Sequence, residues 1–168
     1  MTIIPDTKDW TWVLERSCEE CGFEPGTVDV RGAGEDARAM VPRWESVLER
    51  EGVRERPDDG TWSPLEYACH VRDVLLIFAE RLALMREHDG PEFPNWDQDA
   101  AAGDYAAHDP AAVAAELGSA ADAFAAEFAV VQDWSRPGYR SNGSAFTTDS
   151  IVRYAMHDLV HHLHDVDA

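Results

Sequence analysis

The segment YAMHDLVHHLHDV, residues 154–166, contains four of the chain's seven histidines. Residues four positions apart lie one above the other on an α-helix, so His157 and His161 can direct both imidazoles at one metal ion. His164 lies near the same stripe of the helix. His162 is rotated by about 100° and is expected to face solvent or a neighbouring chain. The spacing therefore predicts a pair of metal ligands on one helix face.

Two imidazoles need at least one further ligand to make a good metal site. The best candidate is His70, which lies in the largely apolar segment YACHVRDV. Together with His157 and His161 it would form a three-histidine centre with an open coordination position, which is typical of catalytic zinc. Replacement of one of the three by His164 remains an alternative. So do the structural interpretations, in which the C-terminal histidines are solvated and His70 is a core residue.

The chain has three cysteines, and this odd number does not favour a disulfide framework. Cys18-x-x-Cys21 has the spacing of half a metal site or of a redox pair, or it forms a tight turn. No matching second half is evident, and the strand–helix context of a thioredoxin-like redox pair is missing. Cys69 is expected to be a small core residue.

Several other side chains are candidates for the same chemistry. Glu66 could act as a general base, although it also fits the carboxylate of a helix capping box. Tyr154 could reach a pocket beside the histidines or belong to the core. Trp96 and Asp97 lie in a long connection and could form the lip of a substrate pocket. The carboxylates that could orient the imidazoles are Asp158 and Asp165.

Composition limits the class of protein. The 168 residues are 45% hydrophobic, which is enough for one domain with a buried core. The 33 acidic and 14 basic residues give a net charge of −19, which disfavours binding to nucleic acid or anionic membranes. The N-terminus lacks the pattern of a signal peptide, and no apolar run approaches the ~18 residues of a membrane span. We therefore expect a soluble cytoplasmic protein.

The elements that would position these residues are helical. One helix is predicted over about residues 35–50. A second begins at Pro64, after the N-cap Ser63, with an apolar pattern to Met85 and a stop at Gly90. Residues 91–108 are expected to form a long loop.

A third helix is expected to begin after the N-cap Asp109 and to continue through the alanine-rich run that ends at residue 131. A fourth is capped by Thr147 or Thr148 and continues to His164. Between them, residues 133–146 contain an Asn-Gly pair that predicts a small hairpin. No segment shows strand alternation. The pattern predicts an all-α four-helix bundle over residues 34–168, preceded by an irregular extension over residues 1–33.

At EYACHVRDV and HDLVHH the sequence resembles the DinB-like superfamily of metal-binding four-helix bundles, the DinB/YfiT type. That family's pattern is one histidine on the second helix and an H-x-x-x-H pair on the fourth, which maps onto His70, His157 and His161. The resemblance covers roughly residues 35–166 and implies an up-down-down-up bundle. The extension with its C-x-x-C lies outside the core pattern and resembles an actinobacterial subgroup.

The resemblance implies a divalent metal, with zinc favoured over nickel. Several members of the family are mycothiol S-transferases, mycothiol-dependent isomerases or bacillithiol transferases, in which the metal is thought to bind a thiolate. It therefore implies an enzyme that joins a low-molecular-weight thiol to a small electrophile. The single lysine, Lys8, and the abundant alanine suggest a GC-rich genome. Together with the resemblance to an actinobacterial subgroup, this composition implies mycothiol as the thiol. The alternatives are a metal-dependent hydrolase and a non-catalytic metal- or ligand-binding bundle of stress-response type, and a homodimer is compatible with either.

Overall fold

The computed structural model describes residues 9–168, and helices dominate this part of the chain. The helices are α1 (Ala33–Leu48), α2 (Pro64–Glu87), the single-turn α3 (Gln98–Ala101), α4 (Pro110–Phe128) and α5 (Thr148–Asp165). Three 3₁₀-helices cover Trp10–Leu14, Pro25–Thr27 and Ala102–Ala107. Three short strands, β1 (Glu92–Phe93), β2 (Pro137–Arg140) and β3 (Ala145–Thr147), complete the secondary structure of these residues.

The helix starts follow the predicted capping residues. Ser63 caps α2 by accepting a hydrogen bond from the Glu66 backbone amide, and the Ser63 amide donates one to the Glu66 carboxylate. Asp109 caps α4, and Thr147 caps α5. Each cap satisfies an amide that would otherwise lack a partner at the helix N-terminus.

The four long helices pack as a bundle in which α4 contacts α1 and α2, and α5 contacts α2 and α1. Helices α1 and α4 approach closely at Gly34, where an added Cβ would lie 2.9 Å from the Cα of Ala125. The largest fully buried side chains include Trp44, Phe124 and Leu65. The prediction of an all-α four-helix bundle is confirmed.

The connections contain more regular structure than the sequence indicated. Strand β2 pairs antiparallel with β3, which confirms the predicted hairpin, and Gly143 takes a positive φ of 96° in its turn. Strand β1 pairs parallel with β2. The expectation of a plain loop over residues 91–108 was wrong, because β1, α3 and a 3₁₀-helix lie in it. These strands have only two to four residues, which is too short to show an alternating pattern.

Residues 9–32, which we call the leader, lie against the bundle instead of extending away from it. The 3₁₀-helix Trp10–Leu14 contacts α5, and Val13, Cys18 and Phe23 are buried. The described part of the leader is therefore anchored on the bundle by its buried side chains. The first eight residues of the predicted extension lie outside that range. No helix within residues 9–168 is long and apolar enough to span a membrane.

Candidate metal centre

A cavity of about 290 Å³ lies among α2, α5, the leader and the connection that follows β1. The three predicted ligands, His70, His157 and His161, all line it. The other residues in its wall are Trp10, Glu20, Gly60, Trp62, Tyr67, Gln98, Asp99, Tyr154, Asp158, His162 and Asp165. The fold thus brings one segment of α2 and the C-terminal histidines of α5 to the same space.

Helix α5 presents two of these histidines as neighbours. His157 and His161 are one turn apart, their ring centroids are 5.0 Å apart, and both residues are buried. Burial lowers the pKa of His157 to about 4 and also lowers that of His161. Both imidazoles are therefore neutral at physiological pH, which is the form that binds metal ions.

The leader brings two thiols to the same two imidazoles. The Sγ atom of Cys18 lies 3.7 Å from Nδ1 of His161. One donor atom from each of Cys18, Cys21, His157 and His161 lies within 4.8 Å of all the others. Both cysteines are free thiols, and burial raises the pKa of Cys21 to about 11. Half a metal site was one of the three interpretations of Cys18-x-x-Cys21, and both thiols lie beside the H-x-x-x-H pair of α5.

The surroundings of these imidazoles suit metal ligands. Glu20 and Asp165 place carboxylate oxygens 3.6 Å and 3.7 Å from Nε2 of His161. Carboxylates commonly face the second ring nitrogen of a ligating histidine. Nε2 of His157 is buried and has no hydrogen-bond partner among the described residues. Burying a polar nitrogen without a partner costs free energy, and a bound ligand would remove that cost. The donor set and its orphaned nitrogen therefore fit a bound metal ion.

His70 occupies a different part of the cavity wall and is not one of the four clustered residues. Its ring stacks on Trp96 with centroids 5.1 Å apart, and it lies 5.2 Å from Trp62 and 4.7 Å from His162. Burial, together with the nearby His162, lowers its pKa well below the ordinary value. Nδ1 of His70 is also buried and has no hydrogen-bond partner within residues 9–168.

The expectation that His162 faces solvent or a neighbouring chain was wrong. Its side chain is 15% exposed, it lines the cavity, and its Nδ1 lies 2.8 Å from Oδ2 of Asp165. The leader covers one face of α5 and α2 covers another, and the rings of Tyr67 and His70 on α2 lie against His162. An i, i+3 aspartate was the one sequence signal that could have indicated a partner for His162.

The remaining candidate residues have separate roles. The Glu66 carboxylate binds Arg56 and the Ser63 amide and is absent from the cavity wall, which favours its structural role. Tyr154 lines the cavity. Asp97 accepts a hydrogen bond from the backbone of Ala100 and caps α3.

The predicted lip of the pocket is only partly realised. Gln98 and Asp99 line the cavity, whereas Trp96 reaches it through its contact with His70.

His164 is exposed and does not belong to the four clustered residues. Asp158 lines the cavity, and burial raises its pKa to about 6. The site therefore combines a cluster of metal donors with a polar and aromatic cavity.

Comparisons with known proteins agree with this architecture. The chain resembles the solved structure described as "YfiT from Bacillus subtilis is a probable metal-dependent hydrolase with an unusual four-helix bundle topology". The TM-score is 0.70 at 17% identity, and the match covers 99% of this chain and 91% of the other. No curated protein sequence matches the chain significantly. The family model of the DinB superfamily matches residues 33–166, and the chain therefore belongs to the DinB superfamily.

Proposed function

We propose that the chain is a metal-dependent enzyme that transforms a small molecule in the cavity between α2 and α5. The observation that carries the proposal is that His157 and His161 line the cavity and also belong to the cluster of metal donors. A substrate in the cavity would thus lie beside a bound ion. The volume of about 290 Å³ suits a small ligand.

The reaction that we propose is attack of a low-molecular-weight thiol, of the mycothiol type, on a small electrophile. A sulfur–carbon bond forms, the thiol proton is released to solvent, and the leaving group of the electrophile departs with its bonding electrons. The metal, when bound, would lower the pKa of the thiol and hold it as the nucleophilic thiolate. Trp10 and Trp62 offer aromatic surface to the electrophile, and Gln98 and Tyr154 offer hydrogen bonds. A mixed imidazole and thiolate environment favours zinc, with nickel as the alternative.

Two other functions have an observation in their favour. Hydrolysis, with water in place of the thiol, is the reaction that the description of the Bacillus subtilis relative suggests. A non-catalytic metal-binding bundle is supported by the four clustered donors, because four protein ligands are typical of structural zinc sites. The open polar cavity beside the donors favours an enzyme over the second of these.

The proposal is tested first by metal content and then by substrate consumption. Untagged native protein is compared with the His157→Ala/His161→Ala double variant by plasma mass spectrometry, with His164→Ala as the matched control because His164 is exposed. We expect about one zinc or nickel per chain in the native and control proteins and none in the double variant.

The metal-loaded protein is then incubated with mycothiol and monochlorobimane. Metal-dependent formation of the thioether supports the proposed transfer. Hydrolysis of small esters or amides without any thiol would overturn it in favour of a hydrolase. Metal binding without turnover of either substrate would favour the non-catalytic bundle.

A further inference from the structure

We propose that Cys18 and Cys21 are metal ligands, and that with His157 and His161 they form a four-coordinate centre with two thiolates and two imidazoles. In this arrangement His70 is a side chain of the substrate cavity and not a ligand. The inference rests on the proposed function only in that both require a metal at His157 and His161.

The distances agree with tetrahedral coordination. Zinc–sulfur and zinc–nitrogen bonds of about 2.3 Å and 2.0–2.1 Å separate a sulfur and a nitrogen ligand by about 3.5 Å. The observed distance from Sγ of Cys18 to Nδ1 of His161 is 3.7 Å. The four donor atoms lie within 4.8 Å of one another, so a single ion can contact all of them with small adjustments.

The local backbone of the leader holds both thiols on one side of a turn. The Gly22 amide donates a hydrogen bond of 2.8 Å to the Cys18 carbonyl, and the Cys18 amide donates one of 2.9 Å to the Phe23 carbonyl. Gly22 has a φ of 73°, in the left-handed region where a side chain would be strained. A C-x-x-C turn of this kind is the usual spacing of paired zinc ligands.

The histidines supply independent evidence of a ligand. Nε2 of His157 is buried and has no hydrogen-bond partner among the described residues, and its residue is 2% exposed. His161 directs Nδ1 at Cys18 and Nε2 toward Glu20 and Asp165. The carboxylates face Nε2, which is the ring nitrogen that points away from the Cys18 thiol. They can therefore hold the proton on Nε2, and this tautomer leaves the lone pair of Nδ1 free to bind a metal ion.

The chemistry of the donors selects the class of ion. Thiolate and imidazole ligands favour zinc over the oxygen-preferring ions magnesium and calcium. Two thiolates also balance the double positive charge, which lowers the cost of burying the ion. Zinc can expand to five ligands, so four protein ligands still allow a substrate atom to approach from the cavity.

The inference is tested first on the native protein by X-ray absorption at the zinc edge. We expect two sulfur and two nitrogen ligands. A shell of nitrogen and oxygen alone would overturn the inference and would leave the three-histidine centre of His70, His157 and His161. Because no substitution is involved, this measurement does not depend on the folding of a variant.

Cobalt substitution identifies which residues supply the ligands. Native full-length protein is stripped by a chelator, loaded with cobalt alone, and compared with Cys18→Ser, Cys21→Ser, Cys69→Ala and His70→Ala variants. Cys69 is the matched thiol control, because it is buried beside Tyr105 and outside the four clustered residues. Circular dichroism checks that each variant retains its helices.

We expect sulfur-to-cobalt charge-transfer absorption in the native protein, the Cys69 variant and the His70 variant. The Cys18 and Cys21 variants should each lose about half of this absorption. Each should also bind cobalt with lower affinity, and the loss should exceed the roughly 10–100-fold that follows removal of a residue that only hydrogen-bonds to a metal ligand. Loss of cobalt in the His70 variant with full retention in both cysteine variants would overturn the inference.

The identity of the metal ligands and the proposed reaction can be tested independently. A two-sulfur centre in a protein that consumes neither thiol nor electrophile would support the inference and contradict the proposed reaction. A nitrogen-only centre in an active thiol transferase would do the reverse.

Discussion

The Sγ atom of Cys18 lies 3.7 Å from Nδ1 of His161, although 143 residues separate the two in the sequence. The contact exists because the leader lies across α5, with Trp10 5.3 Å from the ring of His161. A metal ion at this point would tie the leader to the last helix of the bundle. The stability of the leader and the occupancy of the site should therefore be linked.

Removing the metal should loosen the leader. A link that closes a loop of roughly 100 residues or more stabilises a fold by about 5 kcal/mol in the chain-entropy account. For a chain of this size that corresponds to a fall in Tm of roughly 10–20 °C on treatment with a chelator. Calorimetry gives the shift, and hydrogen exchange should show faster exchange in residues 10–23. The Cys18→Ser/Cys21→Ser variant should have a lower Tm than the metal-loaded native protein, whether or not the chelator is present. An unchanged Tm of the native protein after metal removal would contradict the link.

Asp165 should support the metal site without binding the ion. Its carboxylate faces Nε2 of His161 and accepts a hydrogen bond from Nδ1 of His162. We expect Asp165→Asn to weaken zinc binding by roughly 10–100-fold, because the imidazoles lose a charged partner. Competition with a fluorescent chelator measures the affinity. The control is Asp167→Asn, which makes the same change of charge at an exposed position nearby. Equal affinities for the two variants would show that Asp165 has no such role.

Glu66 should contribute to stability and not to metal binding. Burial alone would raise its pKa, but the hydrogen bonds from Arg56 and Ser63 lower the pKa below its ordinary value. Because the folded-state pKa lies below that of the unfolded chain, ionised Glu66 stabilises the fold above about pH 4.5, and this contribution is lost as the pH falls through the folded-state pKa. We expect Glu66→Gln to lower the free energy of unfolding by about 2 kcal/mol at neutral pH and by less in acid.

Urea unfolding of the two proteins at neutral pH and in acid measures this difference. Metal content and turnover of the Glu66→Gln protein should match the native values. A loss of turnover in a variant that remains folded and metal-loaded would instead indicate the general-base role.

Gly34 should be required for the close packing of α1 on α4. An alanine there would place its Cβ 2.9 Å from the Cα of Ala125. Relieving this contact requires a shift of one helix backbone, which costs free energy. We expect Gly34→Ala to lower the free energy of unfolding by about 1–3 kcal/mol. Gly118→Ala on α4 is the control, since no atom lies within 4 Å of its added Cβ. The free energy of unfolding of that variant should rise by up to about 1 kcal/mol, because alanine has the higher helix propensity. Urea unfolding compares them, and similar values would refute the packing argument.

The parts of the fold that depend on neighbouring residues were predictable from the sequence. Ser63, Asp109 and Thr147 cap the helices that follow them, because an N-cap interacts only with the next few residues. The pairing of His157 and His161 follows in the same way from the pitch of one helix. The short strands depend on pairing between distant segments, and nothing within a segment of two to four residues indicates it.

The composition of the candidate site depended on the tertiary fold. Half a metal site was one of three interpretations of Cys18 and Cys21, and the imidazoles that they approach lie on a helix more than 130 residues further along. The burial of His162 could not be read from its position on α5, because it results from Tyr67 and His70 on α2, whose rings lie 5.3 Å and 4.7 Å away.

Cys18 precedes His161 by 143 residues, and this order has a consequence for biosynthesis. During translation both thiols of the leader emerge from the ribosome long before α5 has been made. A centre built from both segments can take up its ion only after synthesis has reached the last helix. Until then the thiols are open to oxidation and to other metals, so the order of events in the cell would decide how much of the protein becomes loaded.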